Sequence, residues 1–228
     1  MKIPYDYVAI KPFPSDEIRT KSGHVLYLDV RFEEYLHAQT AGIVAYAPEK
    51  LRFNGDPERN SMDFDTDIEV KEGDVVIFNY LAAKLARKEG RILDGGMLLI
   101  PYDKIYVAMR GDEVIPVNGH ILVEPEYETV ESTVIIPDSN IDRSKQLGRI
   151  LYAGKPNKGY RNDLFVKGFT SPDTPVNVGQ RILFHWTDAI PLQPVQEIHG
   201  EVTREKFLYR MQHKDIMALV PDEAKVVE

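Results

Sequence analysis

Residues 70–78 (VKEGDVVIF) and residues 176–184 (VNVGQRILF) share a pattern in which a glycine turn precedes a short run of strand-forming residues. Upstream of each, residues 42–47 (GIVAYA) correspond to residues 148–153 (GRILYA), and the separation between the two motifs is the same in both halves. A repeat of roughly 110 residues is much longer than the repeat of a solenoid protein. It predicts two related domains on one chain.

Strand signals dominate both halves of the chain. Short runs rich in Val, Ile, Leu and Tyr alternate with Gly, Pro and Asn, a pattern typical of an all-β barrel or sandwich. Each half closes with a matching run, residues 104–109 (KIYVAM) and residues 215–220 (DIMALV). We therefore predict two all-β domains, residues 1–112 and residues 113–228.

Two stretches favour short helices over strands. Residues 32–39 place apolar side chains at helical spacing, and residues 80–89 are rich in helix-forming residues and stop at Gly90. The predicted fold is thus all-β with short helical segments.

The composition limits the function classes. The chain has 228 residues, of which 43% are hydrophobic, so each half can bury a core. Its net charge is −8 and both halves are mildly acidic, which argues against nucleic acid as a partner. The absence of cysteine excludes disulfides and thiolate metal sites and favours a reducing compartment. With no secretory signal and no apolar run long enough for a bilayer, we expect a soluble cytoplasmic protein.

Several motifs resemble the GroES co-chaperonin family. In the second half, residues 132–138 (STVIIPD) followed by residues 148–154 resemble that family's mobile loop and the strand after it. Residues 176–184 resemble its strand of pattern V-x-x-G-D-x-V-x-F. In the first half, residues 6–11 (DYVAIK) resemble its opening strand and residues 20–26 (TKSGHVL) the start of its mobile loop. The resemblance covers nearly the whole chain and implies two tandem GroES-like β-barrels.

The resemblance also implies a function. Members of the family are not enzymes and need no cofactor of their own; as oligomers they cap a GroEL-type chaperonin, which uses ATP. Contact is made by a flexible loop with a short apolar tip, whose ordering costs entropy and keeps each contact weak. When one oligomer carries several loops, the first bound loop raises the effective concentration of the others, and their weak contacts combine into tight binding. The tips implied for the two copies are apolar triplets: Val134, Ile135 and Ile136, and Val25, Leu26 and Tyr27.

The residues alone leave other interpretations open. Each triplet has the composition of an ordinary strand that covers a core. The same repeated fold also suits a binding or assembly module that no longer engages a chaperonin. Zinc-dependent alcohol dehydrogenases share the barrel, but they require cysteine ligands and a dinucleotide-binding domain, and this sequence shows neither.

Two further patterns suggest chemistry but fit a structural interpretation better. Residues 63–67 (DFDTD) alternate carboxylates as a calcium loop does, but Ile68 replaces the turn glycine and Asp74 stands where a bidentate glutamate is needed. We interpret this stretch as a solvated acidic hairpin. His185 follows a predicted strand at the position that matches Asn79, and we interpret it as a turn residue.

Overall fold

The computed structural model describes residues 6–13, 17–19, 25–27, 40–49, 51, 66–127, 143–157, 176–185, 187, 190–192 and 208–222. Within these residues most of the chain is in antiparallel strands, which form two large sheets and one two-stranded sheet. The prediction of an all-β fold is confirmed. Among the described residues, no helix is both long enough and apolar enough to cross a membrane.

The first large sheet is built from residues before position 117. Its strands follow the order β6-β7-β1-β4-β5-β8-β9. Their bounds are β1 (Tyr7–Pro12), β4 (Ala41–Tyr46), β5 (Val75–Phe78), β6 (Ile92–Leu93), β7 (Met97–Pro101), β8 (Ile105–Arg110) and β9 (Glu113–Pro116). The two-stranded sheet pairs β2 (Glu17–Arg19) with β3 (Val25–Tyr27).

The second large sheet repeats this arrangement. Its order is β13-β14-β10-β11-β12-β15. The bounds are β10 (His120–Tyr127), β11 (Arg143–Ala153), β12 (Arg181–Phe184), β13 (Ile190–Pro191), β14 (Tyr209–Gln212) and β15 (Ile216–Val220). Read strand by strand, it matches the first sheet except that the described residues supply no counterpart of β9.

The repeat extends to the register of the strands. In the first sheet Val76 lies opposite Ala108, and the register shifts between Ile77 and Phe78. In the second sheet Ile182 lies opposite Leu219, and the register shifts at the corresponding place, between Leu183 and Phe184. The sequence repeat is therefore a repeat of topology and register.

The motif that repeats most clearly forms the same turn twice. Gly73 and Gly179 both have φ of 88°, a left-handed conformation that favours glycine. The next side chain then closes the turn: Asp74 Oδ2 accepts the amide of Lys71 at 2.7 Å, and Gln180 Oε1 accepts the amide of Asn177 at 2.7 Å. The turn sends β5 and β12 into their sheets, where Phe78 and Phe184 enter the two cores.

The predicted helix at residues 80–89 is confirmed as α1 (Tyr80–Lys88). Asn79 caps it, because its side-chain oxygen accepts the amide of Leu81 at 2.8 Å. Three alanines pack the helix onto the first core: Ala82, Ala83 and Ala86. The helix predicted at residues 32–39 lies outside the described residues.

The domain division at residue 112 stays a prediction. The strand that follows it, β9, hydrogen-bonds to β8 of the first sheet through a tight turn in which Arg110 lies opposite Glu113. Gly111 has φ of 60° in this turn. The chain thus finishes the edge of the first sheet before it enters the second.

We expect Gly42→Ala and Gly148→Ala to destabilise the protein by similar amounts, about 1–3 kcal/mol each, because neither site has room for a methyl group. A Cβ atom at Gly42 would lie 2.5 Å from the Lys11 carbonyl oxygen, and one at Gly148 would lie 2.7 Å from that of Glu124. Urea unfolding followed by circular dichroism measures the change. Val178→Ala, at an exposed turn position, is the control and should change stability by less than about 0.5 kcal/mol. If Gly148→Ala left the free energy of unfolding unchanged, the proposed equivalence of Gly42 and Gly148 would be contradicted.

Candidate functional site

The connection between β1 and β4 carries the first predicted contact triplet. The structure places Val25, Leu26 and Tyr27 in β3, whose backbone pairs with β2. In this register Leu26 lies opposite Ile18. The two strands form a sheet of their own, so this triplet sits in a paired β-hairpin arm and not in an unpaired loop.

The second predicted triplet, Val134, Ile135 and Ile136, lies outside the described residues. The strands on either side of it are described. At the base of this connection Tyr127 lies opposite Arg143, and Pro125 lies opposite Gly148. In the first sheet Pro12 lies opposite Gly42 in the same way. The two connections therefore leave the two sheets at corresponding places.

An ion pair anchors the base of the second connection. Arg181 makes two parallel contacts with Glu126, from Nε to Oε1 at 2.6 Å and from the terminal nitrogen to Oε2 at 2.8 Å. Such bidentate pairs fix geometry better than single contacts do. The strand that leads to the second triplet is thereby tied to β12.

The two large sheets meet at an apolar junction. On the first sheet, Ile77, Tyr106 and Val107 face outward from the first core. On the second sheet, Leu122 together with the nearby Leu192 and Leu208 packs against them. All six side chains are buried, so the sheets are joined through packed surface and not through a bare linker.

A buried asparagine fills the polar part of this junction. Asn118 has φ of 58° and no exposed surface. Its side-chain nitrogen donates to the carbonyl oxygens of Tyr102 at 2.6 Å and Ile105 at 2.8 Å. Its own carbonyl oxygen accepts from the side chains of Asn157 at 2.8 Å and Gln212 at 3.0 Å. One residue thus satisfies backbone and side-chain groups from both sheets.

An aromatic and cationic cluster lies beside this network. The guanidinium of Arg210 stacks 3.7 Å from the centroid of the Tyr106 ring, and the His120 ring meets Tyr106 edge-on at 5.1 Å. Burial lowers the pKa of His120 to about 3, so this histidine is neutral at physiological pH. Arg210 therefore provides the cation that faces the ring, a favourable arrangement in a buried site.

Glu69 ties the end of the predicted acidic hairpin to the same junction. Its carboxylate Oε2 accepts the backbone amide of Asn118 at 3.0 Å, and its own amide donates to the Tyr102 hydroxyl at 2.8 Å. That hydroxyl in turn donates to the carbonyl of Asp67 at 3.0 Å. Burial raises the pKa of Glu69 to about 7, while nearby Lys155 opposes the rise.

The sequence did not reveal the junction as a site. Its residues lie far apart in the chain, and the hydrogen bonds of Asn118 span up to 94 positions. The signal available was local: Asn118-Gly119 is a dipeptide that favours left-handed backbone, and it comes just after Pro116.

The other sequence patterns remain structural where they are described. The His185 Nδ1 atom lies 2.6 Å from Thr187 Oγ1, and this exposed residue directly follows β12. Asp74, considered as a calcium ligand, instead pairs with Arg110 at 2.8 Å. Within the described residues, no three His, Asp or Glu side chains are grouped as metal ligands. Most of the acidic stretch at residues 63–67 lies outside them.

The repeated antiparallel fold places the chain in the class of small all-β proteins. No family model matches the sequence. The chain is 33% identical over 113 residues to a protein described as "Co-chaperonin GroES" from Aquifex aeolicus (strain VF5), a match that covers 50% of this chain and 72% of that protein. The chain belongs to the GroES co-chaperonin family.

We expect Glu69 to make stability depend on pH near neutrality. Because its folded-state pKa is raised from 4.5 to about 7, the folded protein holds this proton more tightly than the unfolded chain does. Stability should therefore fall as pH rises from about 5 to 8. Glu69→Gln removes this contribution and keeps an oxygen that accepts the amide of Asn118.

The measurement is the urea midpoint of both proteins across that pH range. His120 and His213, whose pKa values burial lowers, contribute equally to both proteins and cancel in the difference. If the urea midpoints of wild type and Glu69→Gln changed with pH in parallel, the pH dependence could not be assigned to Glu69.

Proposed function

We propose that this protein is a co-chaperonin that binds and caps a GroEL-type chaperonin and so assists ATP-dependent protein folding. The supporting observation is that, in a member of the GroES family, both apolar triplets lie on connections that leave the two repeated sheets at corresponding places. The chain itself would use no cofactor and perform no catalysis. It would act in the cytoplasm as a homo-oligomer.

In this proposal residues 1–112 and residues 113–228 are two GroES-like β-barrels, each with one contact arm. The tips are Val25, Leu26 and Tyr27 on the first arm and Val134, Ile135 and Ile136 on the second. Burying one such aliphatic side chain is worth about 1.5–3 kcal/mol before the cost of ordering the arm. Each arm is therefore a weak, reversible contact.

The junction between the sheets gives this arrangement its physical advantage. The packed cluster around Tyr106 and the hydrogen bonds of Asn118 hold the two arm bases at a fixed separation. Once one arm is bound, the other is presented at high effective concentration and its binding adds to the first. Loss of the chaperonin state that accepts the arms would release both.

The arrangement of β3 favours a second candidate function. Since Val25–Tyr27 already pairs with β2, the first arm is partly organised without a partner. A GroES-like binding or assembly module that no longer engages a chaperonin would tolerate such an arm. Mixing the protein with a GroEL-type chaperonin and ATP separates the two candidates, because only the first forms a co-migrating complex.

We expect Ile135→Asp and Leu26→Asp each to weaken capture by the chaperonin at least about tenfold, since each loses the burial of one aliphatic side chain. Combining the two substitutions should abolish capture. The measurement is co-sedimentation with a GroEL-type chaperonin in the presence of ATP. Val178→Asp is the matched control, because it adds the same charge at a side chain that is 63% exposed and lies off both arms.

Unfolding temperatures measured in parallel show whether each variant keeps its fold. Unchanged capture by the double variant would reject the arms as the contact. Absence of wild-type capture would reject the co-chaperonin proposal in favour of the second candidate.

A further inference from the structure

Helix α1 interrupts the repeat. In the first sheet, residues 79–91 connect β5 to β6 and contain this helix. The corresponding strands of the second sheet, β12 and β13, are connected by residues 185–189, which are too few for a helix of nine residues. The second sheet nevertheless buries a core around Phe184, the counterpart of Phe78. The shared fold therefore does not require α1, and its presence needs another explanation.

The two sides of α1 carry side chains of unexpected sizes. Its buried side consists of Ala82, Ala83 and Ala86, which let the helix lie close to the first core. Its larger apolar side chains, Leu81 and Leu85, face water and are 44% and 43% exposed. Leucine is normally among the residues that a helix buries. Two exposed leucines one turn apart leave apolar surface that the fold does not use.

Two lysines complete an exposed stripe with these leucines. Leu81, Lys84, Leu85 and Lys88 occupy positions i, i+3, i+4 and i+7, the spacing of residues that share one face of a helix. All four are exposed, and we call this set the α1 stripe. Just after the helix, Ile92 on the edge strand β6 is 47% exposed. The stripe therefore combines apolar and cationic side chains on one surface.

The local charge of α1 is opposite to that of the whole chain. The chain carries a net charge of −8, but residues 80–91 contain four cationic side chains and one carboxylate, that of Glu89. This carboxylate lies 2.9 Å from Arg91, so it has a cationic partner outside the stripe. Lys88 lies in the last turn, where cations stabilise a helix, but Lys84 lies in the middle. Helix stability thus explains only part of this positive charge.

We propose that the α1 stripe is a docking site for an acidic amphipathic segment of a partner protein. Apolar side chains of that segment would contact Leu81 and Leu85, and its carboxylates would pair with Lys84 and Lys88. Helical segments that dock in this way present their own anchors at i, i+3, i+4 and i+7. Because the stripe is small, the complex should be weak and reversible. Helix α1 lies on a different connection from both contact triplets, so the proposal does not depend on capture by a chaperonin.

A protein partner agrees with these observations better than a membrane surface does. Docking to a bilayer requires an apolar face that inserts below the headgroups. The leucines of the stripe are more than half covered by the protein itself and alternate with lysines, so they offer little to insert. The net charge of −8 also opposes approach to an extended anionic surface. A short acidic segment contacts α1 alone, and distant charges of the chain are screened beyond about 8 Å.

Fluorescence anisotropy with a labelled peptide tests the proposal on the full chain. The peptide has about 15 residues, with Leu at i, i+3, i+4 and i+7 and Glu elsewhere. We expect a dissociation constant of about 10–500 µM at low salt, which rises as salt is added. Lys84→Glu should weaken binding at least about tenfold, because it places like charges opposite each other. Lys71→Glu is the matched control: it reverses the charge of an exposed lysine in the turn before β5 and should leave binding unchanged.

Two milder variants separate the contributions of charge and apolar contact. Lys84→Gln removes the charge without reversing it, and Leu85→Ala shortens the apolar side chain; both introduce good helix formers. Each should weaken binding about two- to fivefold. Val178→Ala, an apolar truncation at an exposed turn, is the control for the second variant. Thermal unfolding followed by circular dichroism shows whether each variant keeps its fold.

Four results would overturn the proposal. The first is a wild type that does not bind the peptide at about 1 mM. The second is equal binding of an analogue with Lys in place of Glu, because the stripe would then not select acidic segments. The third is sedimentation of the wild type, but not of Lys84→Glu, with vesicles that contain phosphatidylserine, which would indicate a lipid surface. The fourth is a change in the number of chains per assembly for Lys84→Glu in native mass spectrometry, which would indicate a contact between copies.

Discussion

Asn118 is the constraint on which the arrangement of the two sheets depends. It holds a left-handed backbone conformation while fully buried, and its amide and carbonyl groups bind both sheets. Burying polar groups is costly unless they find partners. Tyr102, Ile105, Asn157, Gln212 and Glu69 supply partners for its side-chain nitrogen, its backbone amide and its backbone carbonyl oxygen. The apolar cluster around Tyr106 joins the sheets by non-directional packing, and the directional hydrogen bonds of this network favour one orientation.

That orientation connects the fold to the proposed function. The connections that carry the two proposed contact triplets leave their sheets at corresponding places, so the junction and the strand registers set the separation of their bases. The ion pair of Arg181 and Glu126 ties β10 to β12 just before the second of these connections begins. Weak contacts carried by one molecule add through effective concentration, and the junction packs together the two sheets that would carry them.

Much of this fold was predictable from sequence, because its signals are local and occur twice. The glycine turns at Gly73 and Gly179, the strands after them and the helix capped by Asn79 follow from residue types at short range. The pairing of Val25–Tyr27 with Glu17–Arg19 was not predicted, since an apolar triplet has the same composition in a loop tip and in a strand. The junction was missed for a different reason: Glu69, Asn118 and Arg210 become neighbours only through tertiary structure.

The order of the strands has a consequence for the protein's own synthesis. The first sheet is complete once β9 has formed, but Leu192 and Leu208, which cover its outward face, come much later in the chain. At the usual translation speed of ~5–20 residues per second, the outward side chains of Ile77 and Val107 would wait on the order of 5–20 s for their cover. During that interval the nascent chain exposes an apolar face of a completed sheet, and such a face can associate with other nascent chains.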